Sequence, residues 1–275
     1  MTKTSAGLDL CLWRHLQRHL DAWNPAWRDR IGGASTVEKL DRRQRGGAFS
    51  DDEIFEGLLL AVLSGNTLWS TIERLQPQLA EPFDSFSMSS YARRSDEAVA
   101  SLVPWFLERR AGSTGLRASL LRLRQTVLLL DRYSREHGSA DAYFTDALRD
   151  SDQELEELAV AVGSSKRWKL PGFGIALTAE ALRNIGYDLC KPDRHVLRCL
   201  AAWDLVRFSH WPARSEFTAP QATPAELKLT MRVVRRLAHS NGVGVSYMTS
   251  AIWLAGAQSG ARLSNEALRA IRQSC

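Results

Sequence analysis

Helix punctuation is what most constrains this chain: starts and stops recur along it, and no segment alternates apolar and polar residues for long enough to compete as a strand. Ser50 followed three residues later by Glu53 forms a capping box, and Ile54, Phe55, Leu58, Leu59, Val62 and Leu63 then return at helical spacing. This predicts a core-facing helix that stops at Gly65-Asn66. Asn66 or Thr67 then caps a second helix carrying Leu68, Trp69, Ile72 and Leu75, which Pro77 ends. Leu120, Leu121, Leu123, Val127, Leu128 and Leu130 predict another helix ending near Gly138. Ser139 and Ser151 read as caps of short helices, the second reinforced by Glu154 and closed by Gly163. Thr223, Pro224 and Glu226 open a late helix that runs to Asn241-Gly242. The chain is therefore expected to be all-α, roughly a dozen helices joined by short loops.

Composition narrows the function classes. With 275 residues, 44% of them hydrophobic and 24% charged, the chain can bury a core, which excludes disordered and fibrous architectures. A net charge of +5 permits a polyanionic partner without requiring one. Arg117, Arg122, Arg124 and Arg132 make one predicted helix basic, a face that suits phosphate and serves equally as a solvated surface. Cys11, Cys190, Cys199 and Cys275 include no C-x-x-C pair, which argues against a disulfide scaffold, a zinc ribbon or a cysteine-held cluster, and points to a reducing cytoplasm. Cys11, His15 and His19 share a helical face, but three ligands strung along one helix lie too far apart for one ion, so no metal site is expected. Asp9 and Arg14 interrupt the N-terminal apolar stretch, leaving no signal-peptide core. The uncharged stretch 242–261 carries four glycines and several polar residues, which fits a buried helix better than a membrane span.

The most informative segment is Lys169-Leu170-Pro171-Gly172-Phe173-Gly174, followed by a helical pattern from Ala176 to Ile185. Two glycines one residue apart allow a tight turn and a close approach of backbone to a ligand, and the next helix start presents free N–H groups suited to phosphate. A plain turn between helices would use the same residues. Nineteen residues after Gly174 comes Asp193, in Lys191-Pro192-Asp193-Arg194-His195-Val196-Leu197-Arg198. Pro192 and Asp193 favour a helix start, so the carboxylate is expected at an N-terminus, where capping alone would also explain it.

These two motifs at this separation resemble the helix-hairpin-helix DNA glycosylase superfamily, with its L-P-G-x-G hairpin and later D-x-H-x-x-R. The stretch from Phe55 to Ile72 is similar to the early helix-turn-helix of the same superfamily, and looks most like bacterial 3-methyladenine DNA glycosylase I. The resemblance implies two helical subdomains with a DNA-binding cleft between them: residues 1–49 with 187–275, carrying the aspartate, and residues 50–186, containing the hairpin. It implies Asp193 as the catalytic carboxylate. Lys169, Leu170, Pro171, Gly172, Phe173, Gly174, Arg194 and His195 would contact DNA. The base pocket would draw on Trp69, Asn66, Ser64 and Glu56. Trp69 would serve equally as core, and His195 and Arg198 equally as braces of their helix.

Departures from that family bear on the chemistry. Its bifunctional members place a nucleophilic lysine two residues past the hairpin's second glycine, where this chain has Ala176, so a monofunctional enzyme is implied. The base-reading glutamate of the glycosylase I family corresponds to Ala61, and its zinc-closing His-x-x-x-Cys is missing. The expectation is a cofactor-free, monomeric, cytoplasmic, nucleoid-associated enzyme acting on double-stranded DNA that contains a damaged base. It would excise alkylated, cationic purines, an aromatic face both stacking on the flipped base and attracting its charge. The alternative is a helix-hairpin-helix protein that binds damaged DNA without cutting.

Overall fold

A computed structural model describes residues 5–31, 34–211 and 216–275; the side chains of Ser5, Ala34, Ser35, Thr36, Asn66 and Trp69 lie outside what it describes. The described residues are helical throughout and contain no strand beyond an isolated bridge between His210 and Gln221. No helix among them is long and apolar enough to cross a membrane; the uncharged stretch folds as the helix Val245–Gly256, most of it buried.

The chain divides into two compact units, Lys39–Tyr187 and Met1–Glu38 with Asp188–Cys275. The first boundary falls earlier than the position 49 expected, inside the helix Ala34–Gln44. Ion pairing explains it. Arg43 reaches both carboxylate oxygens of Asp141 at 2.8 and 2.7 Å and the Ile185 carbonyl, with its guanidinium 4.4 Å from the Phe49 ring, while Arg42 pairs with Glu53 at 2.6 Å. These charges bind the segment after Glu38 to the middle of the chain.

In the unit Lys39–Tyr187, the helix Asp51–Asn66 carries the predicted capping box and buries Ile54, Phe55, Leu58, Leu59 and Val62. Phe55, Phe83, Tyr91 and Phe106 close on one another at ring separations of 4.7 to 6.2 Å. The helix Leu116–His137 buries Leu116, Leu120, Leu123, Val127 and Leu130 and ends on left-handed Gly138, as its spacing predicts. Other caps differ from expectation. The helix Trp69–Leu75 starts without a side-chain cap, because the Thr67 hydroxyl donates to the Ala111 carbonyl instead. The helix Leu155–Ser164 begins after Glu154, since Ser151 spends its hydroxyl on the Ala147 carbonyl, and Gly163 lies inside the helix rather than ending it.

In the other unit, Leu12, Leu16 and Leu20 of the helix Ser5–Trp23 are buried at helical spacing, and Asp9, also buried, accepts from Arg236 at 3.0 and 3.1 Å. The helix Pro224–Ser240 has the predicted N1 proline and capping box. One expectation fails here: Cys11 and Cys275 form a disulfide, with Cα atoms 5.6 Å apart, because the end of the helix Asn265–Gln273 returns to the first helix. A separation of 264 residues hides that meeting from sequence spacing.

Candidate catalytic carboxylate and nucleic-acid interface

Asp193 is the N-cap of the helix Arg194–Ala202. Its Oδ1 accepts the backbone N–H of His195 at 2.9 Å and of Val196 at 3.1 Å. Among the described residues no hydrogen bond reaches Oδ2. The carboxylate is half-buried and sits where the helix start presents its free N–H groups. One oxygen is thus committed to the fold and the other is available.

The neighbouring side chains hold this cap in place. His195 Nδ1 lies 3.1 Å from the Gly256 carbonyl, which can only accept, so Nδ1 carries the proton; Nε2 receives the Arg194 Nε–H at 3.2 Å. The ring is therefore neutral. Burial holds its pKa below the usual histidine value, with the nearby Asp193 charge opposing the shift and Arg194 reinforcing it. The Trp253 ring stands edge-on at 5.9 Å. Arg198, buried, donates to the carbonyls of Leu263 and Gly256, both at 2.8 Å, and to Asn265 Oδ1 at 3.0 Å. Arg198 and His195 thus brace their helix against the end of Val245–Gly256. The start of that same helix is capped by Asp188, which accepts from the N–H groups of Val245 and Ser246 at 3.0 and 2.7 Å. Arg194 is exposed.

The hairpin lies in the other unit. Gly172 has φ +78°, the left-handed region that glycine tolerates, and a Cβ there would stand 2.6 Å from the Cβ of Arg122. The Thr126 hydroxyl donates to the Pro171 carbonyl at 2.7 Å, and Leu170 N–H to the Val162 carbonyl at 3.0 Å. Gly174 is the N-cap of the helix Ile175–Asn184, with no side-chain cap and open space where a Cβ would sit. Its first N–H groups point out of the helix, an arrangement that accepts an anion.

Not all of the predicted contacts sit on that surface. Leu170 and Phe173 are buried, their apolar side chains anchoring the turn in the core, which removes them from the reach of a phosphate. Lys169 donates its ammonium to the carbonyls of Gly163 and Phe173 at 2.7 and 3.1 Å, bracing the hairpin from within the chain. Gly172, Gly174 and Pro171 remain accessible. The sequence reading missed Thr126 and Gly163. A Cβ on Gly163 would meet the backbone of Ile175 at 2.7 Å, so the glycine lets the two hairpin helices touch.

Three of the four predicted pocket residues lie along the helix Asp51–Asn66, and Trp69 opens the next helix. Glu56 pairs with Lys39 at 3.9 Å, and Ser64 donates to the Ala61 carbonyl at 2.8 Å. They stand eight positions apart, about 12 Å of helix rise. Asn66 and Trp69 end one helix and start the next, and their side chains lie outside the described residues. Val62 joins Pro171, Gly172, Phe173, Arg122 and Leu177 around a cavity of about 30 Å³, room for a water but not for a base.

No protein-family model matches the chain. It is 32% identical over 77 residues to the nonribosomal peptide synthetase asqK of Emericella nidulans, which takes in 28% of this chain and only 3% of the synthetase's length. In three dimensions it is similar to the Methanocaldococcus jannaschii 8-oxoguanine glycosylase/lyase solved with a 15mer DNA containing 8-oxoguanine. That likeness has a TM-score of 0.54 and 15% sequence identity, and covers 87% of this chain and 94% of the other. The chain shares the overall fold of that glycosylase/lyase. At this identity the likeness speaks to architecture, and within that glycosylase fold the chain has Ala176 two residues past Gly174.

Proposed function

We propose that the protein is a monofunctional DNA glycosylase that hydrolyses the N-glycosidic bond of alkylated, cationic purines in double-stranded DNA, acting as a monomer. The observation that carries this reading is Asp193, a helix-capping carboxylate with Oδ2 unclaimed, in a chain of glycosylase fold. Breaking the bond from C1′ to the base nitrogen sends the electron pair to the base and builds positive charge on the sugar. A fixed carboxylate stabilises that charge and accepts a proton from the water that adds to C1′. Ala176 supplies no amine for a Schiff base, so water is the nucleophile.

The choice of cationic purines rests on the leaving group. A neutral base leaves well only when an acid protonates it, whereas an alkylated, positively charged purine departs neutral without one. His195, the titratable ring next to Asp193, is neutral with Nε2 already accepting from Arg194, and is no proton donor to a leaving base. Gly172, Gly174 and the start of Ile175–Asn184 hold the DNA backbone in this reading, the exposed Arg122 stem lying over Gly172.

The test is base release from duplex DNA treated with a methylating agent, followed by mass spectrometry. Release of 3-methyladenine or 7-methylguanine, with uracil and 8-oxoguanine duplexes left intact, is expected. Release of neutral bases at comparable rates would remove the leaving-group argument. Tight binding to the treated DNA without release would make the protein a damage-binding module.

A further inference from the structure

We propose that the flipped purine stacks on the indole of Trp253, in the same unit as Asp193 and beside the helix that Asp193 caps. This rests on the glycosylase reading and names the aromatic face that reading needs, which the sequence placed at Trp69. Trp253 belongs to the helix Val245–Gly256, and Gly256 follows it by three residues. A Cβ on Gly256 would stand 3.2 Å from the His195 carbonyl oxygen and 3.3 Å from Cys199 Sγ, so the missing side chain lets this helix lie against Arg194–Ala202. Across the same contact Cys199 Sγ reaches the Ile252 carbonyl at 3.7 Å. That close approach brings Trp253 to His195, two residues from Asp193, with ring centroids 5.9 Å apart.

The indole has room for a further partner. Its plane and that of His195 are 81° apart, so the imidazole covers at most one of its two faces. The ring is half-buried; among the described residues no other aromatic ring and no cation lies against it, and no hydrogen bond takes its Nε1–H. Other rings of this unit are engaged. Tyr247, earlier on the same helix, packs against Trp13 and Trp27 at 6.3 and 6.1 Å, and Trp211 donates to the Thr218 carbonyl. A purine laid on the Trp253 indole gains stacking and, when alkylated and positive, the attraction of the π-electrons. The neutral state of His195 matters here, because an imidazolium against the same indole would repel a cationic base. At that ring the Asp193 charge also acts more strongly than the opposing charge of Arg194.

The experiment uses the full chain labelled with fluorotryptophan, and a duplex carrying one 7-methylguanine on a 2′-fluorinated sugar that resists hydrolysis, beside the same duplex undamaged. The fluorine resonance missing from Trp253→Phe identifies Trp253. In wild type it is expected to shift with the lesion duplex and to stay in place with the undamaged one. In base release from methylated DNA, Trp253→Ala should be slower by about 10–100-fold, and Trp253→Phe, which keeps an aromatic face, within about threefold of wild type. Circular dichroism verifies that each variant is folded. A Trp253 resonance that ignores the lesion, or moves alike for both duplexes, overturns the proposal, as does release by folded Trp253→Ala at the wild-type rate. If wild type releases no base while the Trp253 resonance still responds to the lesion duplex alone, the stacking site stands and it is the glycosylase reading that fails.

Discussion

A neutral histidine beside a charged aspartate determines how the Asp193 cap responds to acid. Folding lowers the His195 pKa through burial, so its neutral form is the one the fold stabilises. That contribution is fully present above the unfolded value of about 6.5 and is lost as pH falls through the lower folded value. The thermal midpoint should therefore drop between pH 7.5 and 5.5, and His195→Gln should drop less over the same interval; equal slopes would contradict the assignment. Arg198 is held by three acceptors in a buried site, and Arg198→Ala strands the Leu263 carbonyl and leaves that of Gly256 with His195 as its side-chain donor. A loss of about 3 kcal/mol in denaturant unfolding is expected. Asp193→Ala removes the cap and should cost about 1 kcal/mol, whereas Asp193→Asn keeps a capping oxygen.

Between the elements, the hairpin depends on two glycines for opposite reasons. Gly163 lets two helices touch, and Gly163→Ala drives a methyl into the Ile175 backbone, which should destabilise the fold by about 1–3 kcal/mol in a denaturant titration. Gly174 has open space around it, so Gly174→Asp should fold like wild type while placing a negative charge where a phosphate would bind. Affinity for every duplex should then fall alike, with a shallower salt dependence, in fluorescence anisotropy; unchanged affinity in the folded variant would remove the hairpin from the interface. Helices with strong grammar were legible from residues alone: Ser50 with Glu53, Thr223 with Pro224 and Glu226, Gly138 at a C-terminus. Those at Ser151 and Thr67 were not, because their hydroxyls found carbonyl acceptors instead of the helix starts they precede.

Across the whole molecule, what sequence conveyed was what lies close along it. The hairpin turn and the cap at Asp193 are local, and the structure builds both from the residues that suggest them. The meeting of Cys11 and Cys275 and the grip of Arg198 on Leu263 and Asn265 join distant segments, and no spacing rule reaches them. Burial of Leu170 and Phe173 was open to sequence reasoning, since both are apolar residues beside a helix start; the motif drew them into the interface instead. The central claim is that the Asp193 charge, beyond its cap, carries the chemistry. Single-turnover base release from methylated duplex, measured beside binding and thermal stability for wild type and Asp193→Asn, tests it most directly. The account predicts a release rate lower by about 10²–10⁴-fold with affinity and thermal midpoint near wild type. Release at the wild-type rate by a folded Asp193→Asn would contradict it.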